Sequence, residues 1–324
     1  MSRLTAYLNQ SVPIAPLVTV RVVFGLLMMG STLRFMYLGW IGDHYLDPLF
    51  HFSYPGFAWV KVLPPDAMYA VHGLMVLAAL GITLGFWYRV SATVFFLLFT
   101  YTELIDLTYY LNHYYFVSLF AGLMILIPAG RARSLDVKQG RVTALNEVPR
   151  WTVGILRVQL AVVYVFAGIF KIHSDWLLEA LPLRIWLPAH SDLPLLGPLL
   201  AQPLAAYLFS WVGMLYDCTI VFFLLWDRSR PWAYLAVILF HLMTGILFQI
   251  GVFPVVMIGL TLLFFPAEPH ARWQQRLTNR FGPDSQPSAG SPRPLPPWGL
   301  ALLGAFVLFQ LLFPWRFLLY GGQL

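Results

Sequence analysis

The chain has 324 residues, of which 59% are hydrophobic and 10% charged; a soluble globular domain carries roughly 25% charged residues, so the composition excludes a soluble fold and indicates an integral membrane protein. The formal net charge of +6 would suit nucleic acid only if a soluble basic domain carried it. None is present, and basic residues in a membrane protein mark cytoplasmic loops instead.

A transmembrane helix needs about 20 mostly apolar residues. The amino terminus, MSRLTAYLNQSVPIAP, leads into an apolar stretch without a small-residue cleavage site, which predicts a first span and not a removable signal peptide. Apolar stretches then predict about nine spans, at roughly 15–39, 67–87, 90–105, 113–129, 152–172, 205–226, 231–249, 252–266 and 297–317. The third and eighth are short enough to be tilted pairs or re-entrant pieces. The expected fold class is all-α, a polytopic transmembrane helical bundle. Residues 1–280 form one helical domain, 281–296 (FGPDSQPSAGSPRPLP) a flexible cytoplasmic linker, and 297–324 the last helix with a short outer tail. The linker assignment rests on its Pro, Ser and Gly content. No internal repeat is evident, which weighs against an inverted-repeat transporter.

Charge orients the chain. With the amino terminus inside, thirteen of the twenty basic residues fall at Arg3 and in the loops around 88, 140, 229 and 280. The alternate loops carry Asp43, Asp47, Asp66, Asp106, Asp175, Glu179 and Asp192 against Lys61 and Arg184. The amino terminus is therefore expected in the cytoplasm, by the positive-inside rule.

Ionisable side chains within spans are expensive and mark candidate functional positions. Arg21 and Arg34 lie in the first span. Glu103, Asp106, Asn112 and His113 crowd one outer edge with the tyrosines of TYYLNHYY, including Tyr115; interfacial anchoring is the plain reading of this cluster. In the fifth span, Arg157, Tyr164, Gly168 and Lys171 are spaced by seven, four and three. They share one helix face, which must line an interior or a cavity. Lys171 at the outer end is either a snorkelling lysine or a functional amine, with Asp175 one turn on as a salt-bridge partner. Ser210, Gly213 and Asp217 share a face of the sixth span, and His241 and Gly245 share one on the seventh. For Arg21, Asp217 and Arg157 the favoured reading is buried polar pairing that holds the bundle together. Asp106 is placed with the structural polar groups. Cys218, the single cysteine, allows no internal disulfide and no cysteine zinc site. The eight histidines include no closely spaced pairs of the kind a di-iron site needs, so no metal is expected. No phosphate loop or dinucleotide fingerprint is present.

Several stretches together carry a family resemblance: RVVFG at 21–25, LGFWYR at 84–89, the pattern ending in Asn112-His113-Tyr114-Tyr115, LRVQLAVVYVFAGIFKIHSDWL at 156–177, GMLYD at 213–217, and FHLMTGILFQIGVFPVVM at 240–257. In this order they resemble the membrane domain of vitamin K-dependent γ-glutamyl carboxylases and their bacterial relatives, the horizontally transferred transmembrane domain family. The resemblance implies that Lys171 is the base that deprotonates a reduced quinone, that Asn112 and His113 contact the quinone with His113 assisting at the reacting glutamate, and that His241 lines the site. Tyr164, Arg157 and Tyr115 are the further expected site residues.

The implied cosubstrates are reduced vitamin K or menaquinone with O2 and CO2. In the implied reaction oxygen converts the quinone anion to its epoxide through a strongly basic alkoxide. That base removes a γ-proton from glutamate, and CO2 captures the carbanion. A lysine base must act in its neutral form, which Arg157 nearby would favour. An apolar pocket would shield the alkoxide from water. The site is expected on the extracytoplasmic side, with the bilayer, the quinone and a glutamate-containing peptide or protein as partners.

Two departures from the animal carboxylases bear on activity. Those proteins continue into a large lumenal domain, whereas this chain ends shortly after Arg316. They also carry two consecutive lysines, where this chain has Phe170 then Lys171. Quinone oxygenation is accordingly better supported than protein carboxylation. Two alternatives stand beside the enzyme: a non-catalytic quinone- or lipid-binding or transport protein, and a scaffold subunit for a partner supplying the outer domain.

Overall fold

The computed structural model describes residues 3–281 and 294–316. The chain is mostly helical, and among the described residues its strands are confined to one short antiparallel ribbon of β1 (Ser11–Pro13) and β2 (Glu147–Pro149). Each of the nine apolar stretches is helical, in α1 (Ala15–Tyr37), α2 (Pro65–Leu84), α3 (Tyr88–Leu104), α4 (Asn112–Leu126), α5 (Arg150–Ile169), α6 (Pro203–Leu225), α7 (Arg230–Leu247), α8 (Phe253–Thr261) and, after the polar helix α9 (Ala267–Phe281), α10 (Pro297–Leu312).

The expected nine spans become fewer when length is required. Among the described residues six helices are long and apolar enough to cross a membrane, and a seventh is added if Phe253–Phe264 and Ala267–Arg276, broken by a bend, count as one. The 17 residues of α3 and the 15 of α4 rise only about 26 and 22 Å at 1.5 Å per residue, short of a hydrocarbon core of about 30 Å. Most of the linker and the tail beyond Arg316 lie outside the described residues.

The helices group into two compact units, Met1–Leu156 with Phe265–Gly304, and Arg157–Phe264 with Ala305–Leu324. In the first unit, α1 to α4 pack on one another in chain order. The α1–α2 crossing is close because Gly25 has no side chain: a Cβ there would sit 2.7 Å from Thr83 N and 2.8 Å from Ala79 O. The α2–α3 turn needs Gly85, whose φ of 62° is cheap only for glycine. The amino end of α3 is capped from a distant loop. The Asp136 carboxylate accepts hydrogen bonds from Trp87 N at 2.8 Å and Tyr88 N at 2.9 Å, satisfying donors that a helix start leaves open. Helix α9 lies on α1, where His270 Nδ1 meets Thr19 Oγ1 at 2.9 Å and Gln274 donates to Ala15 O at 2.8 Å.

In the second unit, α6 packs on α7 and α7 on α8. Gln159 and Gln310 exchange two amide hydrogen bonds, at 3.1 and 2.6 Å, so each buried amide satisfies the other. The segment between α5 and α6 folds into short helices, and its Leu183, Leu187 and Leu200 form an apolar cluster with Ala206 and Leu247.

Candidate functional site

The residues expected to form one site are divided between the two units. Asn112, His113 and Tyr115 belong to the first; Arg157, Tyr164, Lys171, Asp217 and His241 belong to the second.

In the second unit, helix α5 stops at Ile169 and Lys171 follows in a turn, its N–H bonded to Gly168 O at 3.0 Å. Because the chain leaves the helix here, the one-turn spacing to Asp175 no longer brings two side chains together. Asp175 is exposed, and the ion pair forms instead with Asp217 of α6, whose Oδ2 lies 2.5 Å from Lys171 Nζ. The amine also donates to Ala167 O at 3.1 Å and lies 5.4 Å from the centre of the Trp176 ring. Trp176 is held to α6 by two hydrogen bonds with Ser210, one of them from the indole N–H to Ser210 O at 3.1 Å.

Gly168 makes the pair geometrically possible. A Cβ at that position would approach Cys218 Sγ to 2.5 Å, Cys218 N to 2.7 Å and the Asp217 carbonyl carbon to 3.1 Å. Only a hydrogen fits, so the two backbones approach closely and the carboxylate comes within reach of the amine. Small residues serve this purpose between membrane helices generally.

Arg157 does not sit beside Lys171. Thirteen residues lie between them, and Arg157 is already about 18 Å along the axis from the helix end at Ile169. Its guanidinium instead donates to Leu263 O at 3.0 Å and lies 5.9 Å from the centre of the Phe264 ring. The neighbour that governs the Lys171 amine is a carboxylate, not a guanidinium.

Two turns before Lys171, the buried Tyr164 hydroxyl contacts His241 Nε2 at 3.0 Å and Thr261 Oγ1 at 3.4 Å. Tyr216, adjacent in sequence to Asp217, packs edge-on against Tyr164 at 6.0 Å and stacks on Phe240 at 3.9 Å. The Lys171–Asp217 pair and the Tyr164–His241–Thr261 cluster are therefore joined through consecutive residues of α6. Tyr216 was legible only as the neighbour of Asp217 in GMLYD, and nothing in the sequence pointed to Thr261.

In the first unit, Asn112 and His113 open α4. Asn112 is exposed and its Oδ1 accepts a hydrogen bond from the Tyr110 hydroxyl at 2.9 Å, while the His113 ring packs against Tyr114 at 4.6 Å. Asp106 is buried in the preceding loop. Its Oδ1 accepts from Thr108 N at 2.9 Å and the Thr108 hydroxyl at 2.8 Å, and its Oδ2 faces His51 Nδ1 at 3.1 Å. Burial alone would raise its carboxyl, but these hydrogen bonds outweigh burial and hold it below the usual value. Arg21 is fully buried and reaches the carbonyls of Ala129 and Ala132 at 3.3 Å each and Arg133 at 2.5 Å, fastening the loop after α4. Arg34 stacks on Trp40, 4.8 Å from its ring centre.

A family model described as the HTTM domain matches residues 9–269. No solved structure matches the chain.

Proposed function

Because the chain belongs to the HTTM domain family, a membrane domain associated with vitamin K-dependent carboxylases, we propose that it is a hydroquinone-dependent oxygenase forming a quinone epoxide, coupled to γ-carboxylation of a glutamyl substrate. The observation that carries this reading is Lys171 held against Asp217, with Tyr164 and His241 two turns away.

The cosubstrate would be reduced vitamin K or menaquinone, which with O2 supplies the reducing equivalents and the strong base of the reaction. The protein's part begins at Lys171 Nζ. A lysine that is to take a proton must first be without one, and Asp217 is the group within reach to have accepted it. The direct hydrogen bond between amine and carboxylate gives the proton a path from one to the other. Lys171 then receives the hydroquinone proton beside the Trp176 ring. Asn112 and His113 are proposed quinone contacts on the family resemblance, and His241, fixed by the Tyr164 hydroxyl, is proposed to line the chemistry at Lys171. The charge distribution of the loops supports an active side outside the cytoplasm.

A structural ion pair is the competing reading, favoured by the same short contact: removing one partner of a buried pair is strongly destabilising whether or not the pair does chemistry. The two readings separate on Lys171→Arg. Arginine keeps the charge and the ion pair, but it stays protonated at any working pH. Full-length protein is incubated with reduced vitamin K or menaquinone, and epoxide is quantified. Wild type should form epoxide, and Lys171→Arg should lose about 10²–10⁴-fold, the usual worth of a general base, while its thermal stability stays near wild type. Epoxide formation by Lys171→Arg near the wild-type rate would make the lysine structural.

A further inference from the structure

The first unit contains a cavity of about 200 Å³ that the proposed chemistry does not use. A single water needs only ~10–15 Å³ on this kind of measure, so a ligand of several heavy atoms fits. Its walls come from the outer end of α1, from α2, from the end of α3, from the 105–111 loop and from Tyr114 of α4. Leu111 and Tyr114 line it, whereas Asn112 and His113 do not.

Beside the hydroxyls of Ser31, Tyr45, Tyr109 and Tyr114, several polar groups on its walls offer only lone pairs. Thr32 and Thr102 give their hydroxyl hydrogens to Met28 O and Phe99 O of their own helices, leaving only lone pairs. His72 Nδ1 donates to Met68 O at 2.8 Å, which makes its Nε2 an acceptor. Asp106 is already engaged by Thr108 and His51. His44 Nδ1 is buried with no hydrogen-bond partner. Glu103 lines the same cavity, and among the described residues no lysine, arginine or histidine forms a salt bridge with it. Glu103 is half-buried and keeps no such counter-charge among the described residues.

The remaining walls are aromatic faces. Phe35 is stacked on His72 at 5.4 Å and 9°, and Phe99 meets Tyr114 edge-on at 6.2 Å and 82°. Aromatic rings around a carboxyl group suit a cation that is weakly hydrated and apolar at its rim.

We propose that this cavity binds a small organic cation, an alkylammonium or trimethylammonium group, with Glu103 as its counter-charge and the rings of Phe35, Phe99 and Tyr114 as cation–π walls.

The test is calorimetric titration of the full chain in phosphatidylglycerol nanodiscs with choline and with 3,3-dimethylbutan-1-ol, its neutral isostere. Choline should bind saturably and at least about tenfold more tightly than the alcohol, and Glu103→Gln should abolish that preference. The comparison of the two ligands on wild type stands even if the variant fails to fold. Repeating the titration in phosphatidylcholine nanodiscs separates the sources of the cation: competition by the lipid weakens choline binding if the natural occupant is a headgroup, and unchanged affinity points to a free amine. Equal affinities for choline and the alcohol would overturn the proposal. So would a choline preference that survives Glu103→Gln, or no saturable choline binding below about 10 mM.

Discussion

Replacing Gly168 with alanine tests whether close helix approach is what assembles the Lys171–Asp217 pair. The added Cβ would lie 2.7 Å from Cys218 N and 2.5 Å from Cys218 Sγ, where ordinary contact begins at 3.4 Å. Relieving the backbone contact alone requires about 0.7 Å of separation between α5 and α6. Because the nearest backbone atom belongs to a helix, it moves only with its neighbours, so the strain is not absorbed by a side-chain rotation. Overpacking of this kind costs about 1–3 kcal/mol, and it pulls Asp217 away from Lys171 by a similar distance. Unfolding of purified full-length Gly168→Ala, followed thermally in detergent, should show the loss. A second variant, Gly168→Ala with Cys218→Ala, removes the sulfur contact and should recover only part of it, because the clash with the backbone nitrogen remains. Wild-type stability in Gly168→Ala, or full recovery in the double variant, would refute the view that backbone approach sets the pair.

Asp217→Asn should lower stability by about 3–5 kcal/mol by leaving the Lys171 amine without its counter-charge, and it should depress epoxide formation further than the stability loss explains, which unfolding and activity measured on the same preparation would separate. Asp106→Asn should cost about 1–2 kcal/mol, because hydrogen bonds to a charged acceptor are stronger than those to a neutral one. The Asp106 carboxyl is held below its ordinary value in the fold, so its contribution is complete above that ordinary value and is lost as pH falls through the lowered one. Stability measured from about pH 6 to about pH 3 should therefore fall more steeply in wild type than in Asp106→Asn. In a Cys218→Ala background, Gln139→Cys and Asp192→Cys should be labelled by an impermeant thiol reagent from opposite sides of the membrane; labelling from one side would refute the proposed orientation.

The nine apolar stretches were legible because lipid demands apolar side chains over a fixed thickness and helices satisfy their own backbone. Which of them are long enough to cross was less legible. The breaks at Leu104, at Leu126 and after Phe264 fall just before Asp106, Pro128 and Pro266, which mark a helix end without showing whether a span ends there too. The faces of α5 and α6 could also be read, since residues spaced by three, four or seven share a side of a helix. Gly168, Lys171, Ser210 and Asp217 make inward contacts accordingly.

Pairing across helices could not be read in this way. Spacing suggested Asp175 for Lys171 because it assumed that the helix continued, but the helix ends at Ile169 and the partner comes from α6, forty-six positions on. Arg157 and Lys171 share a face yet lie about four turns apart. Likewise Thr261 and His241 meet Tyr164 only because three separate helices converge. The sequence by itself determined a mostly helical membrane chain and the inward faces of its helices, since both follow from local chemistry repeated along the chain. Only the tertiary structure decided which charge meets which, because close contact between distant segments depends on where helices end and where a missing side chain, as at Gly168, lets two backbones approach.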